Sequence, residues 1–293
     1  MKVVVLGALG QLGCALRESQ PSGLSVIYFS KQDLDITNAT ELKNTLLREN
    51  AQYVINATAF TAVDLAETEV EKAFAVNASA VESLAKICGE AGIKLIHIST
   101  DFVFAGNAYQ PYKPSDACSP LNVYGESKRA GELAIAKYAS DSSVVVRTSW
   151  LYGANGNNFV KTMLRLFRER ETVNVVCDQV GCPTLVDGLA NWIWRVCKEG
   201  VAVGVYHWCD AGVASWYDFA KAVQELAIEK GVLTKRCNVL PIYSENYPTA
   251  AQRPSYSVLD TRASVFSKAD TPVYWRENLS LMLDKLKEEI SNV

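Results

Sequence analysis

The stretch Tyr124-Gly125-Glu126-Ser127-Lys128 carries the residue pair with the clearest chemistry. A tyrosine and a lysine at i and i+4 share one face of a helix. A free phenol has a pKa of about 10 and exchanges its proton poorly at neutral pH. A fixed ammonium beside it favours the phenolate and draws that value down. Some 25 residues upstream an apolar strand ends in Ser99-Thr100-Asp101, where Thr100 offers a hydroxyl to a substrate carbonyl oxygen. Tyr124, Lys128 and Thr100 are therefore the candidate catalytic residues.

A second motif stands at the start of the chain. Gly7-Ala8-Leu9-Gly10-Gln11-Leu12-Gly13 follows the run Val3-Val4-Val5-Leu6 directly and opens a helical pattern. Glycines there allow a tight turn and close approach of backbone to a pyrophosphate, which sits on the helix N-terminus. The spacing is G-x-x-G-x-x-G rather than G-x-G-x-x-G, so position after a strand carries the argument. A second strand ends at Phe29, where an acidic residue would grip the ribose 2′-hydroxyl of NAD. Ser30 and Lys31 occupy that place, and a hydroxyl with a cation suits a 2′-phosphate. NADPH is thus favoured, with NADH possible; a solvated loop lysine is the other reading of Lys31. Asp35, followed by Ile36, is within reach of an adenine.

These motifs need a scaffold, and the first half of the chain supplies one. Apolar runs Lys2–Leu6, Ser25–Phe29, Tyr53–Ala57, Lys94–Ile98 and Val144–Arg147 alternate with helical patterns over Gly10–Ser19, Thr40–Glu49, Val70–Gly89 and Val123–Tyr138. Near-continuous apolar strands imply burial on both faces. The expected fold is α/β, a doubly wound parallel sheet of Rossmann type over residues 1–150. After Trp150 the regularity weakens. Helices are expected at Phe159–Glu169, Leu185–Lys198, Trp216–Lys230 and Arg276–Ser291, and short strands at Val173–Val176 and Val203–His207. Pro241, Pro248 and Pro254 fall in segments read as irregular. Residues 151–293 are read as a smaller α/β substrate-binding region, with 185–207 returning to the first sheet.

Composition closes off other classes. Of 293 residues, 49% are hydrophobic and 21% charged, and 29 Lys+Arg against 32 Asp+Glu leave a net charge of −3. Nucleic-acid binding needs a dense basic face, which is absent. No apolar run approaches the roughly 18 residues of a membrane helix, and the N-terminal run is too short for a signal-peptide core. A cytoplasmic protein is expected, as monomer or homodimer. Eight scattered cysteines without a Cys-x-x-Cys pair, and two histidines, argue against a structural zinc site or a disulfide framework. His97 and His207 read as structural.

The same residues carry a resemblance. The chain is similar to the extended short-chain dehydrogenases/reductases, and within them to the dTDP-4-dehydrorhamnose reductase branch. The glycine loop and the Tyr-Lys pair are shared by the whole superfamily. Arg147-Thr148-Ser149-Trp150, Gly156-Asn157-Asn158-Phe159 and Asp178-Gln179-Val180-Gly181-Cys182-Pro183-Thr184 select the branch, joined by Asn56–Asp64, Pro120–Gly125 and Arg253-Pro254. The resemblance implies that Gly10, Gln11 and Leu12 touch dinucleotide phosphates and that Ala59, Phe60 and Thr61 pass under the cofactor. It implies that Tyr124 and Lys128 bind the nicotinamide ribose, and that Thr100, Asp101, Tyr124 and Trp150 face a nucleotide sugar. Phe60 and Leu65 depart from a histidine and a lysine common in relatives. Some members hold a metal through a glutamate after the glycine loop; here Cys14 and Ala15 follow Gly13, and no metal is expected.

Several of these residues have plainer readings. Asn157 and Asn158 suit helix N-caps before Phe159 as well as substrate contact. Lys161, Arg165 and Arg253 are candidate partners for a substrate diphosphate, which needs cations. The implied activity is NADPH-dependent reduction of the C4 ketone of a nucleotide sugar, dTDP-4-dehydro-L-rhamnose to dTDP-L-rhamnose. A sibling 4,6-dehydration would need an acid after Thr100-Asp101, where Phe102 stands. The alternatives are another nucleotide-sugar reductase or epimerase, or an NADP-binding regulatory subunit of a methionine adenosyltransferase-like enzyme.

Overall fold

Val3, Val4 and Val5 have no exposed surface, so both faces of their strand are covered. The computed structural model describes residues 1–291; residues 292 and 293, the end of the expected substrate-binding region, lie outside the described residues. Six strands form the main sheet: β1 (Lys2–Leu6), β2 (Ser25–Phe29), β3 (Tyr53–Asn56), β4 (Lys94–Thr100), β5 (Ser143–Thr148) and β6 (Gly204–His207). All neighbours are parallel, in the order β6-β5-β4-β3-β1-β2. The chain therefore reverses direction of winding between β1 and β3. In an open parallel sheet, the crevice beyond the carboxyl ends at such a reversal is where ligands bind.

Alternation along β1 divides the core. Val3 and Val5 pack with α1 (Gln11–Glu18) and, from the second half of the chain, with the helix Val186–Glu199. Val4 and Leu6 pack on the other face with α2 (Ala39–Arg48) and the helical segment Ala80–Ala91. That segment continues Val70–Phe74 through a π-helical turn, Ala75–Ser79, so one bulged helix, α3, runs over 70–91. The helical pattern over Val70–Gly89 thus contains a π turn that its periodicity does not reveal. A short helical turn, Val63–Ala66, precedes it. The helix bearing the Tyr-Lys pair, α4, is Val123–Tyr138, capped by Asn122 Oδ1, which accepts from Gly125 N at 2.8 Å.

The remaining helices are α5 (Phe159–Glu169), α6 (Val186–Glu199), α7 (Trp216–Glu229) and α8 (Trp275–Ser291). Helices α5, α7 and α8 surround a separate apolar cluster containing Phe167, Phe219, Leu279 and Leu283. Two parallel strands complete it, Thr172–Val176 and Asn238–Ile242. The second of these corrects the irregular reading around Pro241. Proline lacks a donor but is tolerated in an edge strand, and here Pro241 sits opposite Val175 in a two-stranded sheet. Among the described residues no helix is long and apolar enough to cross a membrane, and no group of three or more His, Cys, Asp or Glu could hold a metal ion.

Candidate active site at the carboxyl edge of the sheet

The glycine loop turns at the end of β1 in a conformation that needs glycine. Gly7 has φ +88°, and a Cβ there would lie 2.9 Å from the Ala57 carbonyl carbon and oxygen. A Cβ on Gly13 would lie within 2.8 Å of Ala8 backbone, so α1 starts hard against the turn. Gly10 gives α1 no side-chain cap, and its first turn holds no acidic residue. The four first N–H groups of a helix lack intrahelical partners. Uncapped and free of acidic side chains, this helix start fits a phosphate.

At the end of β2 the geometry is more crowded than the sequence suggests. Ser30 is buried, its Oγ donating to Asp33 Oδ2 at 2.6 Å and its N–H reaching the same oxygen at 2.9 Å. Lys31 is exposed, with Nζ 4.0 Å from Asp35 Oδ2. Asp35 Oδ1 accepts from Thr37 N and Oγ1, and Ile36 is buried. Of this group Lys31 alone presents an accessible cation.

The catalytic candidates converge where β4 ends. Thr100 Oγ1 lies 3.0 Å from Asp101 Oδ1 and accepts from Phe102 N at 3.2 Å. A Cβ on Gly125 would meet the Phe102 carbonyl oxygen at 2.3 Å, so α4 approaches this turn as only glycine permits. The Tyr124 ring packs edge-on against Phe102 with centroids 5.6 Å apart. Burial pushes the Tyr124 phenol up to about 12; the Thr100 hydroxyl opposes the shift and the Asp101 carboxylate adds to it. Asp101 is 2% exposed with Oδ2 unpartnered, and burial pushes it up to about 6, against hydrogen bonding from Ser257 and Thr100.

Lys128 does not do what the i,i+4 spacing promised. Its Nζ donates to the Ile98 carbonyl at 2.7 Å and lies 3.3 Å from His97 Nε2. The side chain is turned toward β4, and burial brings its pKa down to about 8. The expected lowering of the phenol is therefore replaced by a raising, because desolvation dominates at Tyr124 and the lysine is directed elsewhere.

Four residues outside the expected set hold the site together. The π turn places Asn77 so that its Oδ1 accepts from Phe60 N at 2.8 Å while Nδ2 donates to Phe60 O and Ser127 Oγ, each at 3.0 Å. Asn77 thus fastens the loop holding Ala59, Phe60 and Thr61 to α4. Asn56 at the end of β3 contacts His97. The insertion of one residue in a helix turn is silent in a 3.6 periodicity, and a polar Asn inside it was the available signal.

On the opposite side, several substrate candidates are engaged within the protein. Trp150 has a strained φ of +46°; its ring stacks on Trp216 with centroids 3.5 Å apart, and Gly181 leaves room for it. Asn158 caps α5 through Lys161 N, and its Nδ2 donates to Gly153 O and Gln11 Oε1. It joins the glycine loop to the second half of the chain. Arg253 clamps Asp64 with two bonds of 3.0 and 2.6 Å, so its charge is already matched. Arg165 pairs with Glu169 on the exposed face of α5.

The chain that carries this glycine turn at a sheet reversal, with Thr100 on β4 and Tyr124 and Lys128 on α4, is similar to known proteins over nearly its whole length. Residues 1–288 match the family model described as RmlD substrate binding domain. The chain belongs to that family. Similar proteins include the dTDP-4-dehydrorhamnose reductase of Escherichia coli (strain K12), 38% identical over 98% of both chains. The spore coat polysaccharide biosynthesis protein SpsK of Bacillus subtilis (strain 168) is also 38% identical, over 95% of each. Among solved structures, dTDP-4-dehydrorhamnose reductase from Bacillus anthracis str. Ames in complex with NADP superposes with a TM-score of 0.90 at 37% identity, covering 97% of this chain and 99% of that one. Within the family fold, the site described above lies on the carboxyl edge of the Rossmann sheet.

Proposed function

We propose that this chain catalyses NADPH-dependent reduction of the C4 ketone of a nucleotide sugar, dTDP-4-dehydro-L-rhamnose to dTDP-L-rhamnose, in the cytoplasm. The observation that carries this reading is the meeting of Thr100, Asp101 and Tyr124 at the end of β4, in a chain 38% identical to a dTDP-4-dehydrorhamnose reductase. The relatives support it over a regulatory-subunit reading. Gly7, Gly10, Gln11, Leu12 and Gly13 would hold the pyrophosphate, the exposed Lys31 with Ser30 the 2′-phosphate, and Asp35 and Ile36 the adenine side. Ala59, Phe60 and Thr61 would lie beneath the dinucleotide, with Tyr124 and Lys128 at the nicotinamide ribose. The bound cofactor supplies hydride.

The chain's own groups do the rest. Thr100 Oγ1 would hydrogen-bond the ketone oxygen and orient it. Tyr124 would deliver its hydroxyl proton to that oxygen as negative charge develops; its buried phenol is fully protonated at neutral pH and so is loaded as a donor. Phe102, packed against Tyr124, carries no proton and gives a dehydration no second acid. Trp150 and Asp101 would face the sugar, with 151–291 supplying most of the nucleotide-sugar site. Asn158 and Arg253 would act there by shaping loops, since their polar groups are engaged within the protein.

The test is loss of NADPH absorbance on adding dTDP-4-dehydro-L-rhamnose generated in situ, with dTDP-glucose as control. Stoichiometric NADPH consumption with the keto sugar alone is expected. A 4-keto-6-deoxy product from dTDP-glucose, or no oxidation with the keto sugar, would overturn the reading.

A further inference from the structure

Glu132 of α4 and Arg147 of β5 are both almost wholly buried, and they meet through two bonds. Arg147 Nε donates to Glu132 Oε1 at 2.8 Å, and a terminal guanidinium nitrogen donates to Oε2 at 2.7 Å. The carboxylate has further partners. Ser99 Oγ donates to Oε1 at 2.6 Å, and Arg129 donates to Oε2 at 2.8 Å. Arg147 in turn donates to the Pro114 carbonyl at 3.2 Å and lies 3.4 Å from His207 Nε2 on β6. One carboxylate thus joins α4 to both β4 and β5. Stability alone does not account for it, because taking two charges out of water costs about what their attraction returns, and apolar residues of similar volume often serve as well. The best-attested use of such a buried pair is to fix register.

Its place on the helix gives that register a meaning. Glu132 stands one turn beyond Lys128, which stands one turn beyond Tyr124. These three turns meet three consecutive residues of β4. The Thr100 hydroxyl acts on the Tyr124 phenol, Lys128 Nζ donates to the Ile98 carbonyl at 2.7 Å, and Glu132 holds Ser99. We infer that Glu132 is a positioning residue for the reduction: clamped by Arg147 and tied to Ser99, it seats α4 on β4 so that Tyr124 and Lys128 meet the end of that strand, and it places a fixed negative charge one turn behind the lysine.

The surrounding charges agree. Burial raises the Glu132 carboxyl, but the bonds from Arg147, Ser99 and Arg129 outweigh it and keep the group below its ordinary value, hence charged at neutral pH. Burial brings Lys128 down to about 8, and the Glu132 carboxylate opposes that fall, so the ammonium persists at pH 7. From β4, His97 faces Nζ with its imidazole held well below the ordinary value by burial and by the Lys128 charge, so it is neutral. Tyr124 is likewise neutral, the Asp101 carboxylate acts on that phenol, and α3 offers the uncharged Asn77. Beyond the two arginines, Glu132 is faced by the Cys118 thiol, raised by burial, and by His207, brought down to about 4.

Carbon NMR on protein labelled at the lysine ε-carbons tests the charge without cofactor or substrate, with Lys128→Met assigning the signal. Glu132→Gln should lower the Lys128 titration midpoint by about one pH unit. Ser99→Ala, which keeps the carboxylate, should leave it in place. The kinetic arm rests on the reductase reading. Glu132→Gln should lower kcat roughly ten- to a hundredfold, as expected for a misplaced group, and its alkaline limb should move with the Lys128 midpoint. Ser99→Ala should lower kcat about two- to tenfold, the worth of one hydrogen bond, with the pH profile unmoved. Mere loss of stability would reduce the folded fraction and leave both the midpoint and kcat per folded molecule alone. A Lys128 midpoint indifferent to Glu132→Gln, or wild-type kcat in both variants, would overturn the inference. Glu132→Gln leaves Arg147 unpaired; if it fails to fold, the double variant Glu132→Gln/Arg147→Met removes both charges and is read in its place, with the same direction expected. An inactive wild-type protein rejects the reductase reading and leaves the Lys128 titration to decide. An unmoved midpoint in an active enzyme rejects the role of Glu132 alone.

Discussion

Tyr124 and Asp101 are two acids in one dry corner, each raised by burial, and the Asp101 carboxylate further disfavours ionisation of Tyr124. Tyr124→Phe keeps the ring on Phe102 and removes the proton. General acid catalysis contributes about 10²–10⁴-fold, so turnover should fall by roughly that factor while NADPH titration stays near wild type. Turnover above a tenth of wild type would reject Tyr124 as donor. Asp101 gives a stability prediction. Its folded value of about 6 lies above the ordinary 3.8. The neutral carboxyl is therefore the form the fold favours; its contribution is complete below about pH 4 and is lost as pH rises through about 6. Asp101→Asn, neutral throughout, should be more stable than wild type at pH 8 by on the order of 2–3 kcal/mol and gain nothing at pH 4. Urea midpoints across that range check it; an offset independent of pH would refute it. The placing of Thr100 at a strand end, and of Tyr124 and Lys128 one turn apart on a helix, was legible because strand end and helix spacing are local properties. Asn56 and His97 were not, because they meet through strand register, directly opposite one another on β3 and β4.

Elements were legible wherever one periodicity ran unbroken: α4 and α5 begin and end where their sequence patterns do. What escaped was the π turn of α3, which has no periodic signature yet carries Asn77, and the strand Asn238–Ile242, masked by Pro241. The close crossing of α3 and α4 depends on Gly131, where a Cβ would lie 2.3 Å from the Asn77 carbonyl oxygen. Alanine there gains up to about 1 kcal/mol of helix propensity. Overpacking against backbone costs about 1–3 kcal/mol, and the backbone cannot swing aside as a side chain can. Gly131→Ala should therefore lower the urea midpoint. It should also weaken NADPH binding, because a displaced Asn77 releases Phe60 N and O. A more stable variant with unchanged NADPH affinity would contradict this account of the crossing.

At the scale of the whole molecule, the second half of the chain completes the first. Strand β6 pairs with β5, and α6 packs on the face of the sheet that α1 covers. Trp194 Nε1 donates to Leu16 O at 3.1 Å, and Asn158 reaches Gln11. The glycine loop is thus supported from residues more than a hundred positions away. Leu189, Trp192, Ile193, Trp194 and Val196 of α6 are almost wholly buried in the sheet core. At about 1.5–3 kcal/mol for each buried large side chain, they contribute roughly 7–15 kcal/mol. Net stabilities are about 5–15 kcal/mol, so the sheet cannot spare them. The isolated segment 1–150, although it holds the glycine loop, Thr100, Tyr124 and Lys128, should show no cooperative thermal transition by circular dichroism and bind no NADPH. The full chain should unfold with tryptophan fluorescence and far-ultraviolet signal moving together. A fragment 1–150 that melts cooperatively and binds NADPH would show that α6 and β6 lean on a sheet already complete without them.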